Sequence, residues 1–344
     1  MSKKSTVIAL MMVFSAAAFA QTIPNTKTPG DKTSPRRRNE PRLYTLTIVN
    51  DPKILLDTFK INAAFKNTYP AFAVADGYRT KREVTMRVID TASNFTISAK
   101  PGEIVVNSQW MTKKDNADTF QASLQKALQK NWTSIDTVKR GDYQLVFINK
   151  NSAFNPTIQK DLTETYFKVF PILVSTFNDK TTHEVIFVTD TAYKGVAEAS
   201  GNRILFGTKY MNDHPTDIDI VTHEGMHLVQ GYGYGSGPVW LTEGIADFIR
   251  YKYGVDNIGS KWYLPEFSPE HKYENSYRIT ARFFEWIDQK VKPGLIIQID
   301  KELRNHTYTQ DTWVNLSGKT IDQLWADYAK NPKLSLKYSG KERK

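Results

Sequence analysis

The sequence predicts an α+β fold in which alternating strands and helices are followed by a helical C-terminal part. Three observations support this prediction. Short runs rich in Val, Ile and Phe alternate with amphipathic stretches through the first two thirds of the chain, as strands and helices do. From about residue 240 onward, helical patterns predominate. The alternating part also repeats after about 100 residues, so the same αβ arrangement is expected twice.

The first 42 residues precede the predicted fold. Residues 1–20 combine a basic start at Lys3 and Lys4, an apolar run, and the small-residue site Ala18-Phe19-Ala20, a pattern typical of a signal peptide. Residues 21–42 are rich in proline and basic side chains and are predicted to be a disordered linker. We therefore expect an exported protein, either secreted or periplasmic. No stretch reaches the roughly 18 consecutive apolar residues that a transmembrane helix needs.

The folded part is predicted to begin with two αβ stretches. The first, residues 43–135, has strands at 44–49, 83–90 and 103–108 and helices at 54–65 and 117–129. The second repeats this order, with strands at 143–149, 184–190 and 203–206, a helix at 162–177, and a further helix around residue 223.

The two stretches share residues at a constant offset of 100 or 101 positions. The matched residues are Tyr69-Pro70 with Phe170-Pro171, Glu83-Val84 with Glu184-Val185, Asp90-Thr91-Ala92 with Asp190-Thr191-Ala192, Ile104 with Ile204, and Trp110-Met111 with Tyr210-Met211. We interpret this pattern as an internal duplication. The competing interpretation is that two αβ segments are alike by chance.

The charge distribution and the absence of cysteine limit which ligands and partners the chain is expected to bind. The net charge of +10 is concentrated at the ends, in residues 1–42 and in a basic tail at 331–344, and the part between them is close to neutral. Such a distribution does not favour a shaped nucleic-acid groove, and no nucleic-acid partner is expected. Because the chain has no cysteine, any metal site must use histidine and carboxylate ligands.

The segment His223-Glu224-Gly225-Met226-His227 is the clearest candidate site. Residues four apart share a helix face, so both imidazoles can bind one Zn²⁺, and Glu224 can act as general base. A catalytic zinc normally takes three protein ligands. The next predicted helix offers Glu243 and Asp247, also four apart. Glu243 as ligand, with Asp247 holding a ligand histidine, fits zinc chemistry; Asp247 as ligand is the alternative.

The surroundings of this helix are predicted as follows. Pro215-Thr216 would cap it, with Asp217 and Asp219 in its first turn, and the strand at 203–206 would be the sheet edge next to the site. At the matching place near 122–125 the first stretch has no histidine. The first stretch is therefore predicted to be a degenerate copy without metal ligands, which serves as structural support or as a binding surface.

The rest of the chain is predicted to be helical after a glycine-rich loop at 231–238. The expected helices are 240–253, 275–290, one opened by Pro293-Gly294 and ending at 304, and a last helix ending at 328 that starts with the capping box Thr320-x-x-Gln323.

Four stretches of this sequence resemble the basic secretory protein family, the peptidases of plants and bacteria in the glutamate-zincin, thermolysin-like clan. They are 222–232 (THEGMHLVQGY), 241–252 (LTEGIADFIRYK), 277–286 (YRITARFFEW) and 316–328 (LSGKTIDQLWADY). The resemblance covers roughly residues 143–330 and implies a zincin-like catalytic domain at 136–330: a mixed sheet, the HExxH helix and a helical C-terminal subdomain. The glycine- and tyrosine-rich loop after Gln230 departs from the family pattern.

The resemblance also implies roles for individual residues. His223, His227 and Glu243 would be the zinc ligands, and Glu224 the general base that acts on a zinc-activated water during hydrolysis of a peptide bond. In this clan the sheet edge near the metal pairs with an extended peptide substrate.

A donor is also needed for the negative charge that develops on the carbonyl oxygen. Tyr277, the first residue of the third family stretch, is the leading candidate; Arg282 and Tyr232 are the others. The predicted function is a secreted zinc-dependent metallopeptidase. The alternative is a catalytically silent secreted binding or adhesion protein on a zincin scaffold, which the degenerate first stretch and the basic ends would suit.

Overall fold

The described part of the chain forms two compact units. The computed structural model describes residues 44–76, 82–92, 95–113 and 116–341, so the predicted signal peptide and linker lie outside the described residues. The units comprise residues 44–131 and 132–341 within these ranges. Each contains a mixed sheet with helices, which confirms the α+β class. Within these ranges no helix is both long and apolar enough to cross a membrane.

The first unit is built on a four-stranded sheet. Its elements are β1 (Thr45–Val49), α1 (Thr58–Ala75), β2 (Glu83–Ile89), β3 (Ile97–Lys100), β4 (Glu103–Asn107), α2 (Ser108–Met111) and α3 (Asn116–Leu128). The strand order is β1-β2-β4-β3, with β3 antiparallel to β4 and the other pairs parallel. Helix α1 starts later than the sequence predicted, because the Asp57 side chain accepts the N–H of Lys60 and so caps the helix.

The second unit has a five-stranded sheet and most of the helices. Its sheet and first helices are β5 (Ser134–Arg140), β6 (Tyr143–Asn149), α4 (Pro156–Phe177), β7 (Glu184–Asp190), β8 (Ala197–Ser200), β9 (Arg203–Gly207), α5 (Thr208–Asp213) and α6 (Ile220–Gln230). The strand order is β5-β6-β7-β9-β8. Strands β6 and β7 are largely buried, as expected for parallel strands covered on both faces. The unit includes β5, which spans the domain boundary predicted at 135/136.

The edge of this sheet differs from the prediction. We expected the strand at 203–206 to be the edge, and this prediction is wrong, because β8 pairs with β9 in antiparallel orientation and occupies the edge position. Strand β8 has only four residues, Ala-Glu-Ala-Ser, none of them β-branched. Such a segment has almost no strand signal of its own and forms a strand through its pairing with β9.

The two sheets have a common topology. The order and strand directions of β1-β2-β4-β3 recur in β6-β7-β9-β8. The antiparallel registers also match, since Ala99 pairs with Ile104 and Ala199 with Ile204. Helices α1 and α4 each contain a proline, Pro70 and Pro171. An internal proline is unfavourable in a helix, so its presence in both is a specific likeness.

The C-terminal half of the second unit is helical. Its elements are α7 (Val239–Tyr253), a 3-10 turn (Tyr273–Asn275), α8 (Tyr277–Lys290), α9 (Leu295–Arg304), α10 (Asp311–Ser317) and α11 (Ile321–Lys330), which begins with the predicted capping box. Helices α7 and α8 pack closely at Gly244, where an added Cβ atom would collide with Cγ2 of Thr280.

The described part of the basic tail packs against the second unit. Residues 331–341 form no helix or strand, but Leu334, Leu336 and Tyr338 pack against the core of the second unit. The Tyr338 hydroxyl accepts the N–H of Leu264 at 3.1 Å. The described part of the basic tail is therefore held against the second unit.

Candidate metal centre

Two consecutive helices of the second unit carry the candidate site. Helix α6 contains His223, Glu224 and His227, and α7 contains Glu243 and Asp247. Helix α6 is buried over almost its whole length and ends at Gly231, whose φ of 53° is left-handed and easily adopted by glycine. The chain then turns back through residues 231–238 into α7, which brings the two helices together.

The start of α6 differs from the prediction. Asp217 and Asp219 were expected in its first turn, but both precede the helix. The Asp219 carboxylate accepts the backbone N–H groups of Val255 at 2.6 Å and Asp256 at 2.8 Å, just beyond the end of α7. Asp217 forms a buried ion pair with Arg250 of α7. These acids therefore tie the start of α6 to the end of α7 and do not cap the helix.

Three side chains converge at one point between the helices. The Nε2 atoms of His223 and His227 are 3.1 Å apart. An oxygen of Glu243, Oε2, lies 3.3 Å from Nε2 of His223 and 3.2 Å from Nε2 of His227. Among the described residues, these three form the one group of His and acidic side chains close enough to hold a metal ion together.

This triangle fits a zinc ion. With Zn–N and Zn–O bonds of about 2.0–2.2 Å, two ligand atoms of a tetrahedral site lie about 3.3–3.5 Å apart. The observed separations of 3.1–3.3 Å are within about 0.2 Å of that range. Two imidazoles and one carboxylate are a common ligand set of catalytic zinc and leave a fourth position open. The donor set and its spacing therefore suit zinc.

Each histidine also has a partner behind it. Nδ1 of His223 lies 2.6 Å from Oδ1 of Asp247, and Nδ1 of His227 lies 2.8 Å from Oε1 of Gln230. Asp247 thus contacts the far side of the His223 ring, whereas Glu243 contacts the Nε2 side. This geometry favours Glu243 as the third ligand and gives Asp247 the supporting position.

The electrostatics of the cluster are dominated by carboxylates. Burial by itself lowers the pKa of His223, but the charge of Asp247 and hydrogen bonds to Asp247 and Glu243 outweigh it and raise the pKa to about 10. Burial tends to raise the pKa of Glu243, yet the hydrogen bonds from the two histidines lower it well below its usual range. These shifts describe a site that stabilises positive charge at its centre.

Glu224 is buried next to the two histidines. Burial raises its pKa, while the charges of His223 and His227 oppose the shift. A carboxyl group with a raised pKa is better suited to accept and return a proton than an exposed one.

Tyr277 lies at the entrance of the site, at the start of α8. Its ring stacks on that of His223, with the centroids 6.2 Å apart, and it remains 54% exposed. Burial raises the pKa of its hydroxyl, and the charges of Glu243 and Asp247 raise it further, so the group stays a proton donor. Ser276 and Tyr277 both have positive φ, 70° and 50°. Such strained backbone costs roughly 1–3 kcal/mol per residue and occurs frequently at functional sites.

The other two predicted donors are engaged elsewhere. The Tyr232 hydroxyl donates to Asp300 at 2.6 Å, and the buried Arg282 pairs with Glu266 at 2.6 Å. Neither polar group has a described hydrogen bond to His223, His227 or Glu243.

Two neighbours of the site were missed in the sequence. Gln230 lies three residues after His227, a spacing that places both on one helix face, so the sequence did contain a signal for it. Tyr193 donates its hydroxyl to the carbonyl oxygen of Ala197 on β8 at 3.0 Å. Burial raises its pKa, and the charges of Glu198 and Glu224 raise it further. Tyr193 is thus bonded to β8, the strand that packs against α6. No spacing relates it to the histidines, so the sequence gave no indication of its position.

Comparison with known proteins identifies the second unit. The family model described as "Peptidase of plants and bacteria", or BSP, matches residues 146–328, more than half of the chain. No curated protein matches the chain.

Two solved structures are similar to part of the chain. Aminopeptidase A of Legionella pneumophila in complex with aspartic acid is 18% identical, with a TM-score of 0.37, and the match covers 57% of this chain and 28% of that one. An aminopeptidase N family protein from Idiomarina loihiensis is 11% identical, with a TM-score of 0.37, and the match covers 60% and 47%. The chain therefore spans less than half the length of either structure.

Proposed function

The chain belongs to the BSP family of peptidases of plants and bacteria, and on this basis we propose that it is a secreted zinc-dependent metallopeptidase that hydrolyses peptide bonds. The observation that carries the proposal is the triangle of His223, His227 and Glu243, whose ligand atoms lie 3.1–3.3 Å apart. When bound there, zinc supplies Lewis acidity that lowers the pKa of water and polarises a carbonyl group.

The chain's own residues supply the rest of the chemistry. Glu224, buried beside the ligands, takes a proton from the attacking water and transfers it to the leaving amine. The Tyr277 hydroxyl, at the mouth of the site, donates a hydrogen bond to the oxygen on which negative charge develops. Asp247 holds the His223 ring from behind.

The substrate we propose is a peptide in extended conformation. Strand β8 is one edge of its sheet and packs against α6, the helix that carries Glu224. An edge strand offers free backbone groups to an extended chain, which gives affinity without dependence on sequence. The peptide would pair with β8. This strand, and not the strand at 203–206, is the sheet edge on that side.

The first unit is proposed to be a degenerate copy of the sheet half of the second. The shared strand order, the equal registers and the paired internal prolines support a duplication. Export is proposed from the pattern of residues 1–20, which lie outside the described residues.

A test compares the purified protein with Glu224→Gln. We expect about one zinc per chain in both proteins, and cleavage of a mixed peptide library that falls by about 10²–10⁴-fold in the variant, the usual contribution of a general base. Removal of zinc with a chelator should abolish cleavage, and zinc should restore it. Zinc binding without cleavage in the wild type would favour the silent binding protein instead. Cleavage that is unaffected by Glu224→Gln or by the chelator would exclude the proposed mechanism.

A further inference from the structure

Gln230, the last residue of α6, bridges the two helices that carry the candidate ligands. It is 1% exposed, so its amide cannot satisfy its hydrogen bonds with bulk water. Its Oε1 lies 2.8 Å from Nδ1 of His227, and its Nε2 lies 3.0 Å from the carbonyl oxygen of Thr242 on α7. Both ends of the amide are therefore used inside the protein.

The direction of these bonds follows from chemistry. A backbone carbonyl can only accept, so the NH₂ end of the Gln230 amide must face the oxygen of Thr242. The amide oxygen must then face His227, and because this oxygen can only accept, Nδ1 of His227 has to carry a proton. In the neutral ring the other nitrogen, Nε2, then has a free lone pair. That nitrogen is the one that points to Nε2 of His223 and to Glu243.

The same amide connects the two helices. Thr242, whose carbonyl it binds, immediately precedes Glu243, the third candidate ligand. One side chain thus fixes the His227 ring on α6 and the backbone of α7 next to Glu243.

Gln230 is itself held in place. Its backbone carbonyl accepts a hydrogen bond from Nε of Arg304 on α9 at 3.3 Å, and Arg304 is ion-paired with the buried Asp300. Because the end of α6 is anchored, the amide is oriented before any metal binds. Preorganised supporting groups of this kind raise metal affinity.

We propose that Gln230 is a positioning residue of the metal centre, which selects the Nδ1–H form of His227 and fixes the distance between His227 and Glu243. This inference rests on the proposed function, since it concerns the residues that would hold zinc.

The test replaces the amide and measures zinc binding and the histidine proton. Gln230→Met keeps the length of the side chain and removes the hydrogen bonds to His227 and to Thr242. Gln230→Glu keeps the acceptor for His227 but loses the donor for Thr242. Asn178→Ala is a matched control, because Asn178 donates to the carbonyl of Val229 at 2.9 Å, one residue away, and its described hydrogen bonds include none to the ligands.

Two readouts are used, neither of which depends on activity. Zinc dissociation constants are measured by competition with a chelator. Exchange of the His227 Nδ1 proton is followed by NMR of the ¹⁵N-histidine-labelled, zinc-loaded protein. We expect Gln230→Met to weaken zinc binding by about 10–100-fold, Gln230→Glu to weaken it less, and Asn178→Ala to leave it unchanged. The Nδ1 proton should be protected from exchange in the wild type and in Asn178→Ala, and should exchange faster in Gln230→Met.

The possible failures are distinguishable. If the wild type binds zinc and Gln230→Met binds it equally well, the positioning role is wrong while the metal centre stands. Equal losses in Gln230→Met and Gln230→Glu would contradict the acceptor role. If Gln230→Met does not fold, the wild-type spectrum decides, because an unprotonated Nδ1 of His227 would overturn the inference. A wild type that binds no zinc would remove the metal centre and this role with it.

Discussion

The two αβ halves of the molecule, residues 44–131 and 143–230, have the same strand order, strand directions and edge register, yet among the residues that the structure describes only the second half carries a candidate site. The difference lies on the last helix of each half. At an offset of 100 residues, Leu124 of α3 corresponds to Glu224 of α6; Leu124 is 0% exposed and Glu224 5%. Under the duplication that we propose, one position is filled by an apolar core residue in the first half and by a buried acid in the second.

This difference shows that the fold and the candidate metal site have different requirements. The sheet and its helices form with or without metal ligands, because their stability comes from buried apolar faces. The site needs two more features: histidines on α6, and a following helix, α7, that supplies Glu243. The first unit ends after α3, so its described residues include no counterpart of α7.

The largest effects are expected from substitutions at Leu124 and Glu224, the two residues related by the offset of 100. Leu124→Ala should lower the free energy of unfolding of the first unit by about 2–5 kcal/mol, because it leaves a cavity in a packed core. Glu224→Leu should not lower stability, since it replaces a buried carboxyl group with an apolar side chain, but it should abolish peptide cleavage. Hydrogen exchange of peptides from residues 44–131 and from α6 measures the two stabilities, and a peptide-cleavage assay measures the loss of activity.

Two results would contradict the different roles assigned to Leu124 and Glu224. A Leu124→Ala protein with unchanged exchange would show that α3 is not packed as part of a core. Loss of stability in Glu224→Leu that matches the loss in Leu124→Ala would show that Glu224 is mainly a structural residue.

A smaller effect is expected at Tyr277, which lies on α8 and has no counterpart among the described residues of the first unit. Tyr277→Phe should lower kcat by about 10²–10³-fold, the usual result of removing one hydrogen bond to a developing oxyanion. Zinc content and the KM for a small peptide should change little, because the ring and its stacking on His223 are kept. Steady-state kinetics measures this split. A change in KM alone would assign Tyr277 to substrate binding.

Much of this arrangement was predictable from the sequence. The strands at 143–149 and 184–190 are long apolar runs, and the spacing of His223, His227, Glu243 and Asp247 follows from helix periodicity. The missed features depend on tertiary contacts. Strand β8 forms only because β9 lies beside it, although none of its residues favours a strand.

Predictions from sequence spacing were wrong for residues whose polar groups bind a residue that is distant in the sequence. Asp219 looked like a residue of the first helical turn, but its carboxylate binds the backbone beyond the end of α7. Arg282 and Tyr232 belong to the family stretches and were candidates for that reason, yet their polar groups bind Glu266 and Asp300. Sequence spacing gives the face of a helix and does not identify the group on the other side of it.

The central claim is that Glu243 completes a zinc site with His223 and His227, while Asp247 supports it. The most direct measurement is the zinc dissociation constant of Glu243→Gln and of Asp247→Asn, determined by chelator competition with the wild type. We expect Asp247→Asn to bind zinc about 10–100-fold more weakly, the usual cost of losing a supporting carboxylate, and Glu243→Gln to lose considerably more. The reverse order, with Asp247→Asn the more damaged, or zinc binding that neither substitution weakens, would contradict this account.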